Sequence, residues 1–319
     1  MRASTSHHVS SAPVELTTPS ICDVWADNLE EAIAELRIMI LQFPYISMDT
    51  EFPGVVARPL GVFTSQSDFL YQTLRCNVDL LKIIQLGITL SDADGKVPVG
   101  THTWQFNFKF SLDDDTFAQD SIDLLSKSGI DFQEHQVRGI DTLDFGELLT
   151  NSGLVLVPEV TWISFHSGYD FGYLLKVLTC NPLPASESEF LRILNLFFPR
   201  FYDIKFLMKS CKTLKGGLQD VADDLGVLRV GMQHQAGSDS HLTCLTFFKL
   251  RQSYFGINFD EAKFMNKLYG IGVTGGSNPY SLNVDQSTTP FNDVSPNSND
   301  TFVNNSAGAA HLCMKTFVK

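Results

Sequence analysis

The sequence has few of the features that hold a small secreted or membrane-bound protein together. Its 319 residues contain six cysteines, and no two of these have C-x-x-C spacing: Cys22, Cys76, Cys180, Cys211, Cys244 and Cys313. Such scatter argues against a zinc module and against a disulfide framework, and it is typical of a reducing compartment. No uncharged apolar run is long enough to cross a bilayer, so we expect no membrane span. The polar first residues predict no secretory signal.

Positive charge is also scarce. The chain has 23 basic against 36 acidic side chains, which gives a net charge of −13. Since affinity for a polyanion comes mainly from phosphate neutralisation, we expect weak intrinsic nucleic-acid binding unless metal ions reverse the charge locally. One basic run is either a solvated helix face or part of an RNA path, and it comprises Lys205, Lys209, Lys212 and Lys215.

Composition divides the chain into three parts. Residues 1–17 are rich in Ser, Thr and His and predict a flexible arm, and 277–319 are poor in apolar residues and predict a disordered tail. A single domain is expected from 18 to 276. Near its end, Gly270–Gly275 matches the dinucleotide fingerprint G-x-G-x-x-G, but Gly276–Pro279 cannot begin the helix which that site requires.

Hydrophobic spacing predicts alternating strands and helices after an early antiparallel pair of strands. Strands are predicted at 45–52, 82–90, 103–110, 161–165 and 202–206. Helices are predicted at 29–40, 117–127, 144–152, 170–179, 187–197, 217–225 and 239–250, the first of them capped by Asn28. The pattern favours an α/β three-layer domain with a mixed central sheet flanked by helices.

Asp49 and Glu51 lie two residues apart on the first of these strands, so both carboxylates should emerge on one face. Ile46 and Met48 then point to the opposite, buried face. Two carboxylates so close repel each other, which raises the pKa of one of them unless a cation such as Mg²⁺ neutralises the pair. Taken alone, the triplet more often marks a surface strand with chance acidic neighbours.

Two later segments complete a pattern. Asp170 follows the strand at 161–165 and stands at the start of a helix, where its charge suits the helix dipole. Asp239 also begins a helix, with His234 five residues before it. The order Asp-x-Glu, Asp, His-x₄-Asp resembles the DEDD superfamily of 3′→5′ exonucleases. The match is to the His-bearing branch, because Gln235 stands where the other branch has tyrosine.

Longer segments resemble one family within that superfamily, the Caf/Pop-type catalytic deadenylase subunit of the Ccr–Not complex. The resemblance covers roughly residues 20 to 275 and is carried by Trp25–Glu31, Asp49–Pro59, Arg75–Gly87, Ser164–Gly172 and Leu214–Leu218. One departure is His241, where the family usually has an apolar residue. We expect His241 to face solvent on its helix, and His166 to make local hydrogen bonds.

The resemblance implies a ribonuclease-H-like fold and two divalent metal ions, Mg²⁺ or Mn²⁺. Their ligands would be Asp49, Glu51, Asp170 and Asp239, and His234 would be the general base. The implied activity is removal of mRNA poly(A) tails from the 3′ end with release of 5′-AMP. Two alternatives stay open: a DNA-directed 3′→5′ exonuclease of the same superfamily, and a catalytically idle scaffold subunit, although all five positions are intact.

The resemblance also implies partners. These are single-stranded poly(A) RNA, a Not-type scaffold and the second deadenylase subunit of the Ccr–Not complex, with anti-proliferative Tob/Btg-type adaptors as further candidates. The expected location is the cytoplasm, with the nucleus as a second location.

Overall fold

A computed structural model describes residues 20–272, and the predicted arm, the tail and the part of the glycine-rich motif after Gly272 lie outside them. The described strands are β1 (Ser20–Val24), β2 (Tyr45–Glu51), β3 (Gln85–Ser91), β4 (Thr101–Asn107), β5 (Thr161–Ser164) and β6 (Phe201–Asp203). The described α-helices are α1 (Leu29–Met39), α2 (Gln66–Leu80), α3 (Gln119–Lys127), α4 (Phe132–Arg138), α5 (Thr142–Thr150), α6 (Gly168–Thr179), α7 (Glu187–Phe197), α8 (Ile204–Leu207), α9 (Leu218–Asp224), α10 (Ala236–Leu250) and α11 (Glu261–Phe264).

The six strands form one sheet in the order β1-β4-β3-β2-β5-β6. Strands β2, β3 and β4 pair antiparallel, whereas β1 pairs parallel with β4, and β5 pairs parallel with β2 and β6. The early antiparallel meander followed by parallel strands confirms the predicted mixed sheet. Strand β2, which carries the acidic pair, lies inside the sheet between β3 and β5.

Helices cover both faces of the sheet, as predicted for a three-layer domain. One face contributes Ile46, Met48 and Trp162 to the main hydrophobic core, together with α1, α2, α5, α6 and α7. On the other face α10 lies across β2 and β3, and its Phe247 packs with Tyr202 of β6 in a second cluster. Within the described range, no helix is long and apolar enough to cross a bilayer.

Two local predictions need correction. Asn28 is the N-cap residue of α1, as predicted, but its side chain does not bond the helix. The side-chain oxygen accepts the Trp25 N–H at 2.7 Å, and the amide group donates to the Asp23 carbonyl at 3.1 Å. Strand β6 ends at Asp203 instead of 206, because the Asp203 carboxylate accepts the Lys205 N–H at 3.0 Å and so begins α8.

Candidate active site

Strand β2 presents the acidic pair on one face of the sheet. Asp49 lies opposite Gly87 of β3, and Glu51 lies opposite Gln85. Ile46 and Met48 are fully buried on the opposite face, so the period of two residues predicted for this strand is present. Both carboxylates are half-buried and point toward the face that α10 covers.

Helix α10 approaches β3 closely at its first residues. A Cβ atom at Gly87 would overlap the carbonyl group of Ala236, so this approach requires a glycine. Two glutamine side chains of neighbouring strands bind the start of the helix. Gln85 accepts the Ala236 N–H at 3.2 Å, and Gln105 accepts the Gly237 N–H at 2.9 Å. These bonds satisfy backbone donors that a helix N-terminus leaves unpaired.

This contact brings Asp239 to the acidic pair. Carboxylate oxygens of Asp49, Glu51 and Asp239 all lie within 4.8 Å of one another. Burial, and then the charges of Asp239 and Asp170, raise the pKa of Asp49 and that of Glu51 well above their usual values. A compact set of hard oxygen donors that repel one another fits a divalent cation such as Mg²⁺ or Mn²⁺.

Asp170 joins the site from the first turn of α6. Its Oδ1 accepts hydrogen bonds from both groups of Thr50, the backbone N–H at 2.9 Å and the hydroxyl at 2.6 Å. Thr50 stands between Asp49 and Glu51, so this contact fixes Asp170 beside the pair. Burial raises the pKa of Asp170 to about 6, although the Thr50 bonds act in the opposite direction.

His234 is the residue before Gln235, the N-cap of α10, and it has a left-handed backbone with φ of 61°. Its backbone N–H donates to Asp239 Oδ2 at 2.8 Å, which links the two motif residues directly. The side chain is half-buried. Burial lowers the pKa of His234, and the nearby Asp239 charge opposes this effect. An imidazole that is neutral at pH 7 can accept a proton.

Arg229 is a member of the site that the sequence did not predict. Its guanidinium group donates to Asp239 Oδ1 at 2.8 Å, and both side chains are about nine-tenths buried, with 12% and 9% exposed. Gln219 and Ser238 accept further hydrogen bonds from Arg229 at 2.6 and 3.0 Å. The Arg229 charge lowers the pKa of Asp49 and Glu51 against the larger effect of burial. The only available sequence signal was a basic residue five positions before His234.

The two other histidines singled out from sequence lie in different surroundings. The His166 backbone N–H donates to Asp203 Oδ1 at 2.8 Å, 37 positions along the chain, so local hydrogen bonding of the His166 side chain stays a prediction. His241 is only 5% exposed, so the prediction that it faces solvent is wrong. It packs against His102 because α10 lies against the sheet at this position.

Two lysines of the predicted basic run contact neighbouring groups of the domain. Lys209 lies 4.9 Å from the ring centres of both Phe206 and Tyr269. Lys205 donates to the Gly216 carbonyl. Two of the four lysines, Lys205 and Lys209, therefore contact neighbouring groups, and Lys209, Lys212 and Lys215 are exposed.

Comparisons with known proteins show which family this chain resembles in sequence and fold. The model of the CAF1 family ribonuclease matches residues 24–144, a range that includes Asp49 and Glu51. The poly(A) ribonuclease pop2 of Schizosaccharomyces pombe is 58% identical over 255 residues, which cover 80% of this chain and 76% of that protein. The probable CCR4-associated factor 1 homolog 7 of Arabidopsis thaliana is 51% identical over 262 residues, covering 80% of this chain and 94% of that protein.

Two solved structures have the same fold. Schizosaccharomyces pombe Pop2p in its Mg²⁺- and Mn²⁺-bound form superposes with a TM-score of 0.77 at 58% identity, covering 79% of this chain and 99% of that one. Yeast CAF1 co-crystallised with the NOT1 MIF4G domain gives a TM-score of 0.66 at 33% identity, covering 82% of this chain and 100% of that one. With the acidic constellation in place and these relatives matching most of its length, the chain belongs to the CAF1 family of ribonucleases.

Proposed function

We propose that this chain is a metal-dependent 3′→5′ exoribonuclease that shortens the poly(A) tails of mRNA and releases 5′-AMP. The observation that carries the proposal is the group of three carboxylates, Asp49, Glu51 and Asp239, whose oxygens lie within 4.8 Å of one another. A relative with 58% identity is named a poly(A) ribonuclease, which supports both the reaction and the substrate.

In this proposal Asp49, Glu51, Asp170 and Asp239 hold two divalent metal ions. When bound, the ions would supply an activated water and stabilise the charge that develops at the scissile phosphate. The protein holds these carboxylates in position. Thr50 keeps Asp170 beside the strand, and Gln85 and Gln105 hold the start of α10 and therefore Asp239.

His234 is the proposed general base. This role is supported by the backbone bond from His234 to Asp239, which keeps His234 next to a proposed metal ligand. Because burial lowers its pKa, the ring is neutral at pH 7 and can accept the proton of the attacking water.

We further propose that the enzyme acts as a subunit of a Ccr–Not-type complex. The fold is shared with a yeast CAF1 that was co-crystallised with the NOT1 MIF4G domain, which supports a Not-type scaffold as partner. The second deadenylase subunit and Tob/Btg-type adaptors are further proposed partners. The net charge of −13 supports recruitment by a scaffold, because an acidic protein attracts RNA weakly. The proposed site of action is the cytoplasm, with the nucleus as a second location.

The proposal is tested with 5′-labelled single strands that share one body and differ in the 3′ end: oligo(A) RNA, oligo(U) RNA and oligo(dA). We expect stepwise shortening of the oligo(A) RNA in Mg²⁺ or Mn²⁺, slowing where the adenosines end. Faster hydrolysis of oligo(dA) would indicate a DNA-directed exonuclease. No hydrolysis of any of the three would indicate a scaffold subunit.

A further inference from the structure

Two buried histidine rings pack against each other outside the carboxylate group. His102 lies on β4 at an irregularity in its register with β1, where Ser20 pairs with Thr101 but Ile21 pairs with Thr103. His241 lies on α10, two residues after Asp239. The side chains are 6% and 5% exposed, and their ring centres are 5.1 Å apart.

Each ring has a buried nitrogen without a partner. His102 Nδ1 lies 3.0 Å from the Gly100 carbonyl, and since a carbonyl can only accept, Nδ1 must carry the hydrogen. His102 Nε2 is then a lone-pair acceptor. This atom and His241 Nδ1 are both buried and bonded to no group of the described residues. Leaving two such groups unsatisfied in a protein interior is unfavourable, so a ligand that binds both nitrogens would stabilise the pair.

The arrangement has the features of a metal-binding imidazole pair. A ligating histidine usually donates its other ring N–H to a carboxylate or a backbone carbonyl, as His102 does to Gly100. A tetrahedral ion about 2.1 Å from two imidazole nitrogens places the two ring centres about 5 Å apart. The observed separation of 5.1 Å agrees with this value.

We propose that His102 and His241 form a second metal site, one that takes a borderline transition-metal ion such as Zn²⁺, with water in the remaining positions. Imidazole nitrogens suit Zn²⁺, whereas Mg²⁺ prefers the oxygen donors of Asp49, Glu51 and Asp239. A bound ion would link strand β4 to helix α10. The site therefore stabilises the helix that carries Asp239, without contributing a group to the carboxylate cluster.

The test uses the full chain after chelation, with Mg²⁺ at millimolar concentration in every sample to occupy the carboxylates. Zn²⁺ is titrated by calorimetry into the wild type, His241→Leu and His102→Ser, and the melting temperature is recorded at each Zn²⁺ level. We expect the wild type to bind one more Zn²⁺ per chain than either variant and to gain several degrees in melting temperature with Zn²⁺. Both variants should unfold in a single cooperative transition in Mg²⁺ without Zn²⁺, which shows that they fold.

Equal Zn²⁺ uptake and equal melting shifts in all three proteins would overturn the proposal and leave only buried water between the rings. If a variant fails to fold, the visible absorption spectrum of the wild type with Co²⁺, recorded with Mg²⁺ present, tests the proposal instead. New visible bands with the intensity of tetrahedral coordination support the site, and their absence overturns it. None of these readouts depends on RNA hydrolysis, so the proposed function can fail independently.

Discussion

At the scale of single residues, Asp49 and Glu51 place like charges together in a partly buried position. Their pKa values are raised in the folded chain, so the folded state binds more protons than the unfolded state between pH of about 4 and the raised values. The free energy of unfolding of the metal-free protein should therefore fall as the pH rises through this range. Each unit by which the folded pKa is raised costs about 1.4 kcal/mol.

Asp49→Asn should flatten this dependence, because it removes one of the repelling charges. Chemical denaturation with a chelator at pH 5 and pH 7.5 measures the free energy of unfolding of both proteins. Excess Mg²⁺ should raise the free energy of unfolding of the wild type most at the higher pH. A wild type as stable at pH 7.5 as at pH 5, with no difference from Asp49→Asn, would mean that the acids do not repel in the folded protein.

Arg229 provides the second residue-scale prediction. Because it pairs with Asp239 in a largely buried contact, Arg229→Gln leaves that carboxylate without its cation and should lower the free energy of unfolding by about 3 kcal/mol. The loss should be smaller in Mg²⁺, since the ion then supplies the missing positive charge. Arg229→Lys keeps the charge and is the matched control.

The double variant Arg229→Gln/Asp239→Asn separates pairing from packing. It should be more stable without metal than Arg229→Gln alone, because no unpaired buried charge remains. If Arg229→Gln lowers the free energy of unfolding by the same amount with and without Mg²⁺, the arginine contributes packing only.

His234 provides a prediction about pH and rate. If its imidazole accepts the proton of the attacking water, His234→Ala should lower the rate by about 10²–10⁴-fold and remove the acidic limb of the pH–rate profile. The lowered pKa of His234 predicts that the wild-type limb lies below pH 6.5. Single-turnover rates across pH 5 to 8 measure this. A normal profile per folded molecule would indicate a structural residue.

At the scale of elements, the contact between α10 and β3 sets the geometry of the site. Gly87→Ala would place a Cβ against the Ala236 carbonyl, and we expect it to cost about 1–3 kcal/mol and to weaken Mn²⁺ binding by displacing Asp239. Gly217→Ala is the control, because its added Cβ would meet only the Asp220 carboxylate at 3.8 Å. Denaturation and Mn²⁺ titration of both variants give the comparison. Unchanged Mn²⁺ affinity in Gly87→Ala would mean that α10 is not held there.

The elements also show what the sequence could reveal. Strand β2 was predictable because one face is acidic and the other apolar. Helix α2 was missed because its buried face includes polar Gln72 and Asn77, which break the apolar period. The burial of Asn77 follows from tertiary contacts, since its side-chain oxygen accepts the N–H groups of Val56 and Ala57 at 2.7 and 2.9 Å. Local periodicity contains no information about such contacts.

The same reason limits the prediction of the site. The order and spacing of a motif predict the site residues Asp49, Glu51, Asp170, His234 and Asp239. Arg229 belongs to no motif, and its role depends on the way the chain before α10 folds back onto Asp239. The burial of His241 likewise depends on the packing of α10 on the sheet, which a helical period alone does not give.

At the scale of the whole molecule, the described core accounts for the site without the chain termini. The acidic constellation lies within residues 20–272, and 277–319 contain few apolar residues. Deletion of 277–319 should therefore change neither the melting temperature nor the rate on oligo(A) RNA. Both are measured on the full and shortened chains side by side. A drop of several degrees would mean that this segment packs on the domain.

The carboxylate group is proposed to hydrolyse RNA from its 3′ end. The most direct measurement is the release of 5′-AMP from oligo(A) RNA, followed by chromatography, for the wild type and Asp49→Asn purified in parallel. We predict one 5′-AMP for each nucleotide removed by the wild type in Mg²⁺ or Mn²⁺, none with a chelator, and none from Asp49→Asn with either ion. Release of 5′-AMP by Asp49→Asn at the wild-type rate, or by the wild type without metal, would contradict this role of the carboxylate group.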